Sequence, residues 1–209
     1  MVNRPTERLT ERLTKRLTCA ACLRPQSNCI CAWATPTASS VDVLILQHPL
    51  EVHEAKGTAR LLHLSLPNSR LVTGEAFDGS LFDTSKHSIL LYPETPPDPS
   101  LGLLQPPVLN PSWLADPAQL RLVVIDGTWR KSRKMLYLNP ALQQMPRLAL
   151  ADIPSSRYRI RKAHKADQLS TLEATCAALA QLETAQTKFE PLLAAFDGFV
   201  AQQAVFRSK

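Results

Sequence analysis

Apolar residues come in short runs between turn-forming residues, and the runs alternate between two periods. "VDVLILQHP" at 41–49 is apolar almost throughout, as a strand buried on both faces would be. "HEAKGTARLLHLSL" at 53–66 instead spaces Leu61, Leu62 and Leu66 as one face of a helix. "SRLVTG" at 69–74 and "HSILLYP" at 87–93 are short strand-like runs, "RLVVID" at 121–126 is another, and "TWRKSRKMLYL" at 128–138 is helical. "PRLALADIP" at 146–154 reads as a strand that leads into the basic loop "SSRYRIRKAHK" at 155–165. Ser170 and Glu173 form an S-x-x-E capping box, predicting a helix through Leu172, Cys176 and Leu179. A last helix has Pro191 near its start and Leu192, Phe196, Phe199 and Val200 on one face.

This alternation predicts an α/β fold, with a mostly parallel sheet and helices on both faces. Ligands of such sheets bind beyond the carboxyl ends of strands, which directs attention to Gln47–Pro49, Asp126–Trp129 and Ala151–Ser156. Seven prolines between Pro93 and Pro111 exclude a helix or central strand there and predict a long ordered excursion or a linker.

Composition narrows the class. At 209 residues, with 44% apolar and 20% charged residues, the chain can bury a core without disulfides as one soluble domain. The formal charge of +6 admits a polyanionic partner. No stretch approaches the roughly 20 apolar residues of a spanning helix, and no signal-peptide core is present, so the expectation is a cytosolic protein with no membrane association. Ahead of the sheet, "TERLTERLTKRLT" places Leu9, Leu13 and Leu17 on one stripe amid Arg8, Arg12, Lys15 and Arg16. That pattern fits a solvated helical arm or an RNA-facing one.

"CAACLRPQSNCIC" supplies Cys19, Cys22, Cys29 and Cys31. Thiolates this close can hold a tetrahedral zinc whose binding energy folds a loop too short to fold by burial. An iron–sulfur cluster and four free thiols are the competing readings. With four protein ligands and no open position, zinc would be structural. Cys176, alone in a helical pattern, reads as a small core residue.

Asp126 ends an apolar strand, where a carboxylate is partly desolvated and able to accept a proton or orient a donor. Gly127 permits a turn or a close approach, and Thr128 can cap the helix that follows. The competing reading makes Asp126 the start of the cap and packs Trp129 in the core. The loop with Arg157, Tyr158, Arg159, Arg161, Lys162 and Lys165 joins Arg130, Lys131, Arg133 and Lys134 in predicting two cationic segments at one sheet edge. Backbone phosphates would be held there, with Tyr158 free to stack on a base; a merely solvated loop is the alternative.

"DGTW" after a strand, the upstream "CAACLRPQSNCIC", "QHPLEVHEAKGTARLL" and the late "LSTLEAT" together resemble the DTW-domain family from about Cys19 to the last helix. The resemblance implies a SPOUT-like fold, with the C-terminal part of the sheet threaded into a knot. Three segments are expected: a basic arm (1–18) that lies outside the resemblance, a four-cysteine zinc element (19–35) and a catalytic domain (36–209). It also implies an activity. As in bacterial members, the 3-amino-3-carboxypropyl group of S-adenosylmethionine would be transferred to N3 of a tRNA uridine, releasing methylthioadenosine. Asp126 would be catalytic. Gln47, His48, Thr128, Trp129, Leu150, Asp152, Ile153, Ser170, Thr171 and Glu173 would line the cofactor, and Arg130, Lys131, Arg133, Arg157, Tyr158, Arg159, Arg161 and Lys162 would meet tRNA, with the cofactor carboxylate as the other partner open to Arg157, Arg159 and Arg161. No obligate protein partner is expected, the chain acting as a monomer or weak dimer. A SPOUT-like RNA methyltransferase and a zinc-containing RNA-binding module without catalysis remain the alternatives.

Overall fold

The run at 41–49 becomes β1 (Asp42–Gln47), an interior strand of a five-stranded sheet in a computed structural model that describes residues 17–94, 105–150, 156 and 169–207. After β1 come α1 (Ala59–Ser65), β2 (Ser69–Thr73), β3 (His87–Leu91), β4 (Leu120–Asp126), α2 (Trp129–Leu138), the short α3 (Pro140–Gln143), β5 (Arg147–Leu148), α4 (Thr171–Leu182) and α5 (Glu190–Arg207). Every pairing is parallel, in the order β2-β1-β4-β3-β5. The expected fold class is therefore the observed one. Between β5 and α4, residues 151–155 and 157–168 lie outside the described residues.

Successive side chains of a strand point to opposite faces, so the unbroken apolar runs feed two cores. Val43, Ile45, Ile89, Leu122 and Val124 pack with α1, α4 and α5. Leu44, Leu46, Leu90 and Val123 pack with Met135 and Leu136 of α2 and Leu142 of α3 on the other face. The helices that follow adjacent strands β1 and β4 thus lie on opposite faces. Such a divergence opens a crevice at the carboxyl ends of the two strands. Parallel register sets Gln47 directly beside Asp126 there, and the His48 N–H extends the ladder to the Asp126 carbonyl at 3.0 Å.

Three elements depart from the sequence expectation. The helix foreseen from residue 53 begins only at Ala59, because Pro49–Glu51 forms a separate 3-10 turn capped by the His48 ring, which accepts from Leu50 N–H. β5 is only two residues long: Leu90 N–H reaches the Pro146 carbonyl at 2.9 Å, but Ala149 turns its carbonyl to the Gln181 side chain of α4 at 3.4 Å. α3, which starts on Pro140, had no counterpart in the sequence pattern.

At the opposite, amino edge, Glu183 just past α4 accepts from the Ser39 hydroxyl at 2.7 Å and from the N–H groups of Ser40 and Val41 at 2.8 and 3.3 Å. Its other oxygen takes Lys188. The last helix packs through Leu192, Phe196 and Phe199, with Phe189 buried just ahead of it, and Gly198 admits Trp33 so closely that a Cβ there would sit 2.2 Å from the indole. Cys176 is buried in the core as expected, and burial pushes its thiol up to about 12. No helix among the described residues is long and apolar enough to cross a membrane.

Candidate active site and metal centre

Asp126 is 5% exposed and Gln47 3%. Gln47 Nε2 donates to Asp126 Oδ2 at 2.9 Å, and the Thr171 hydroxyl of α4 donates to Oδ1 at 2.6 Å. Donors from two other elements thus help to orient one buried carboxylate. Gln47 Oε1 is buried and has no hydrogen-bond partner. An unmet buried acceptor costs about 1–3 kcal/mol, so it calls for an account of its own.

The N-terminus of α4 is held from both sides. Ser170 Oγ accepts from Glu173 N–H at 3.3 Å while Glu173 accepts from Ser170 N–H at 2.8 Å, which is the capping box read from S-x-x-E. Ser156, from the far side of the basic loop, donates to Glu173 at 3.1 Å, and Leu172 N–H reaches the Thr58 hydroxyl at 3.2 Å. Through Thr171 the capped start of α4 therefore reaches Asp126.

His48 is buried with both ring nitrogens engaged: Nδ1 accepts from Leu50 N–H at 3.1 Å and Nε2 lies 2.7 Å from Glu75 Oε1. Glu75 also takes Lys134 at 2.5 Å, and that bond first, with His48 contributing, holds its carboxyl below the ordinary value. Thr128 caps α2 by accepting from Lys131 N–H at 3.4 Å. A Cβ on Gly127 would stand 3.2 Å from Lys131 Cβ and 3.7 Å from His48 Cβ, so this turn is tight against its neighbours.

Trp129 is not in the core. It is 54% exposed, with Tyr92 at the end of β3 meeting it edge to face at 5.9 Å. Burial raises the Tyr92 phenol, and Arg147 lies over its ring at 5.5 Å. Of the cations on α2, Lys131 is tied to Glu51 at 2.7 Å and Lys134 to Glu75, whereas Arg130 and Arg133 are exposed and make no ion pair among the described residues. Leu150 is half-buried against the core shared by α1, α4 and α5. Asp152, Ile153, Arg157, Tyr158, Arg159, Arg161 and Lys162 lie outside the described residues.

The four cysteines converge as their spacing predicts. Cys19 and Cys31 sulfurs are 3.6 Å apart, Cys22 and Cys29 3.7 Å, and all four lie within 4.8 Å of one another. A tetrahedral zinc with Zn–S near 2.3 Å spaces its sulfurs by about 3.8 Å, so the donor set is compatible with that ion. Leu23, at φ 60°, closes the turn between Cys19 and Arg24, its N–H on the Cys19 carbonyl at 2.9 Å. The N–H groups of Cys22 and Ala21, helped by the Cys31 and Cys22 thiols, pull Cys19 down to about 6. Burial and then the neighbouring thiols push Cys31 up to about 12. Arg24 fastens this element to the loop before α1, donating to the carbonyls of Ala55 and Gly57 at 2.7 and 2.9 Å.

A family pattern described as DTW domain matches residues 16–204. The chain belongs to the DTW-domain family. Its matched span contains both the four-cysteine cluster and every residue of the Gln47–Asp126–Thr171 group. The tRNA-uridine aminocarboxypropyltransferase 2 of Drosophila melanogaster is 33% identical over 187 residues, covering 83% of this chain and 71% of the relative. The enzyme of the same name from Macaca fascicularis is 30% identical over 175 residues, covering 79% and 56%. The tRNA-uridine aminocarboxypropyltransferase A of Arabidopsis thaliana is 28% identical over 132 residues, covering 56% and 49%. The chain thus spans about half to seven-tenths of the length of these relatives. No solved structure matches it.

Within the DTW domain the sequence reading passed over Glu51, Thr58, Glu75 and Tyr92. Glu75 and Tyr92 follow the carboxyl ends of β2 and β3. Inspecting every strand end, rather than only those with conspicuous residues, would have found them.

Proposed function

We propose that this chain transfers the 3-amino-3-carboxypropyl group of S-adenosylmethionine to N3 of a uridine in tRNA, releasing methylthioadenosine. The observation that carries the reading is the 2.6 Å bond from Thr171 to Asp126. It joins two of the four stretches that carry the family resemblance, "DGTW" and "LSTLEAT", through residues 45 positions apart, at the sheet's switch point. The names of the relatives supply the reaction class.

The buried carboxylate and the unpartnered Gln47 amide oxygen fit a ligand that brings hydrogen-bond donors, as this cofactor does. When bound, it supplies an alkyl carbon made electrophilic by the adjacent sulfonium. N3 of uracil is an imide nitrogen that must lose its proton to attack. Asp126, held in one orientation by Gln47 and Thr171, accepts or orients that proton. Trp129, braced by Tyr92, walls the methionine end and helps present the carboxypropyl carbon in place of the methyl. Thr128, Leu150, Asp152, Ile153, Ser170 and Glu173 complete the cofactor site, and His48 shapes it through Glu75 and Leu50.

On the tRNA side Arg130 and Arg133 contact phosphate, joined by Arg157, Tyr158, Arg159, Arg161 and Lys162; Lys131 serves first as a brace to Glu51. The cysteines hold a structural zinc in a small element (19–35) ahead of a catalytic domain (36–209), acting in the cytosol without an obligate protein partner.

Chromatography of the small-molecule products tests the reaction class. Methylthioadenosine is the expected by-product, and S-adenosylhomocysteine would replace this reading with a methyltransferase. Elemental analysis of purified protein is expected to find about one zinc per chain; no bound metal would remove the zinc assignment.

A further inference from the structure

Gln47 is among the most buried polar residues of the sheet, yet only half of its amide is used. Nε2 is spent on Asp126, and Oε1 meets nothing. The orientation is forced, because exchanging oxygen and nitrogen would set Oε1 against a carboxylate oxygen. Packing does not account for the empty acceptor, since an apolar side chain of the same size would fill the space without leaving it unmet. The neighbouring groups say what should fill it. Gln47 Oε1 and the Asp126 carboxylate are both acceptors, side by side in parallel register. A donor that also carries positive charge gains most from a buried carboxylate.

We propose that Gln47 Oε1 accepts a hydrogen bond from the α-ammonium group of the aminocarboxypropyl chain, making Gln47 the residue that recognises the group to be transferred. This rests on the function proposed above, and it adds a division of labour within the site. Gln47 binds the amino acid end beside Asp126, so the carbon chain, not the methyl, is the arm held in place. Methylthioadenosine, which has lost that arm, gains nothing from Gln47 and is free to leave.

Calorimetric titration of three ligands into wild type, Gln47→Met and Thr171→Val tests this. S-adenosylmethionine has the ammonium and the sulfonium, S-adenosylhomocysteine has the ammonium alone, and methylthioadenosine has neither. Gln47→Met should weaken the first two alike, by roughly ten- to a hundredfold, the range of a charge-assisted hydrogen bond, and leave methylthioadenosine within about twofold. Thr171→Val disturbs Asp126 without touching Oε1 and should show a smaller difference between the ligands. Equal loss of all three in Gln47→Met, loss for S-adenosylmethionine alone, or unchanged cofactor binding with a raised KM for tRNA would each overturn the assignment. Should Gln47→Met fail to fold, the wild type decides the matter with an S-adenosylhomocysteine analogue lacking the amino group. Binding within about twofold of the parent compound overturns the proposal, and a loss of tenfold or more supports it. If wild type binds none of these ligands, the proposed function itself fails, an outcome distinct from failure of the Gln47 assignment.

Discussion

Two carboxylates sit at opposite edges of the same sheet, and both are fixed by groups far away in sequence. Glu183 at the amino edge is closed on itself. Its oxygens take one hydroxyl, two backbone N–H groups and the Lys188 ammonium. Burial alone would raise that carboxyl, but Lys188, Ser39, Ser40 and Val41 outweigh it and hold it below the ordinary value. Asp126 at the carboxyl edge has the side chains of Gln47 and Thr171 among its partners, and Gln47 keeps an unmet acceptor. The Glu183 carboxylate fastens α4 to the start of β1. The Asp126 carboxylate is the one the proposed function makes a place for a ligand.

Substitution should separate the two. Asp126→Ala is expected to leave a folded protein that still binds cofactor, more weakly, while transfer falls by at least about a hundredfold. Single-turnover assays check it, and full activity would remove Asp126 from the chemistry. Glu183→Gln should do the reverse, lowering unfolding stability by about 2–3 kcal/mol in urea while transfer per folded molecule stays near wild type. Since the folded Glu183 pKa is depressed, its contribution is present above the ordinary glutamate pKa and lost as pH falls through the lowered value. Wild-type stability should thus decline in that acid window, and Glu183→Gln should flatten the decline; identical acid profiles would show that Glu183 is not the linkage.

The smallest effects concern charge at the carboxyl edge. Arg130→Ala or Arg133→Ala should each reduce the salt slope of tRNA binding by about 0.7–0.9. Lys134→Ala, whose ammonium is already spent on Glu75, should change it less. Equal reductions from all three would mean that the Lys134–Glu75 pair opens on the RNA.

The sequence disclosed elements whose signal is local. β1 and β4 showed as unbroken apolar runs because both faces of each strand are buried. The α4 capping box and the cysteine spacing were legible because their partners lie within a few residues. What stayed hidden depends on register and on distant chain. Nothing local places Gln47 opposite Asp126, since a parallel pairing shifted by one residue would turn their side chains to opposite faces. The brace of Trp129 by Tyr92, the His48–Glu75–Lys134 chain and the Glu183 clamp each join segments that meet only once the sheet has formed. β5 ends at Leu148, and the next carbonyl, of Ala149, takes the Gln181 side chain of α4, a contact of which periodicity carries no trace.

Mass spectrometry of nucleosides from tRNA incubated with S-adenosylmethionine and either wild type or Asp126→Ala tests the central claim most directly. Wild type is predicted to yield a uridine bearing the aminocarboxypropyl group on N3, and the variant none. A methylated uridine from wild type, or undiminished product from Asp126→Ala, would contradict the account.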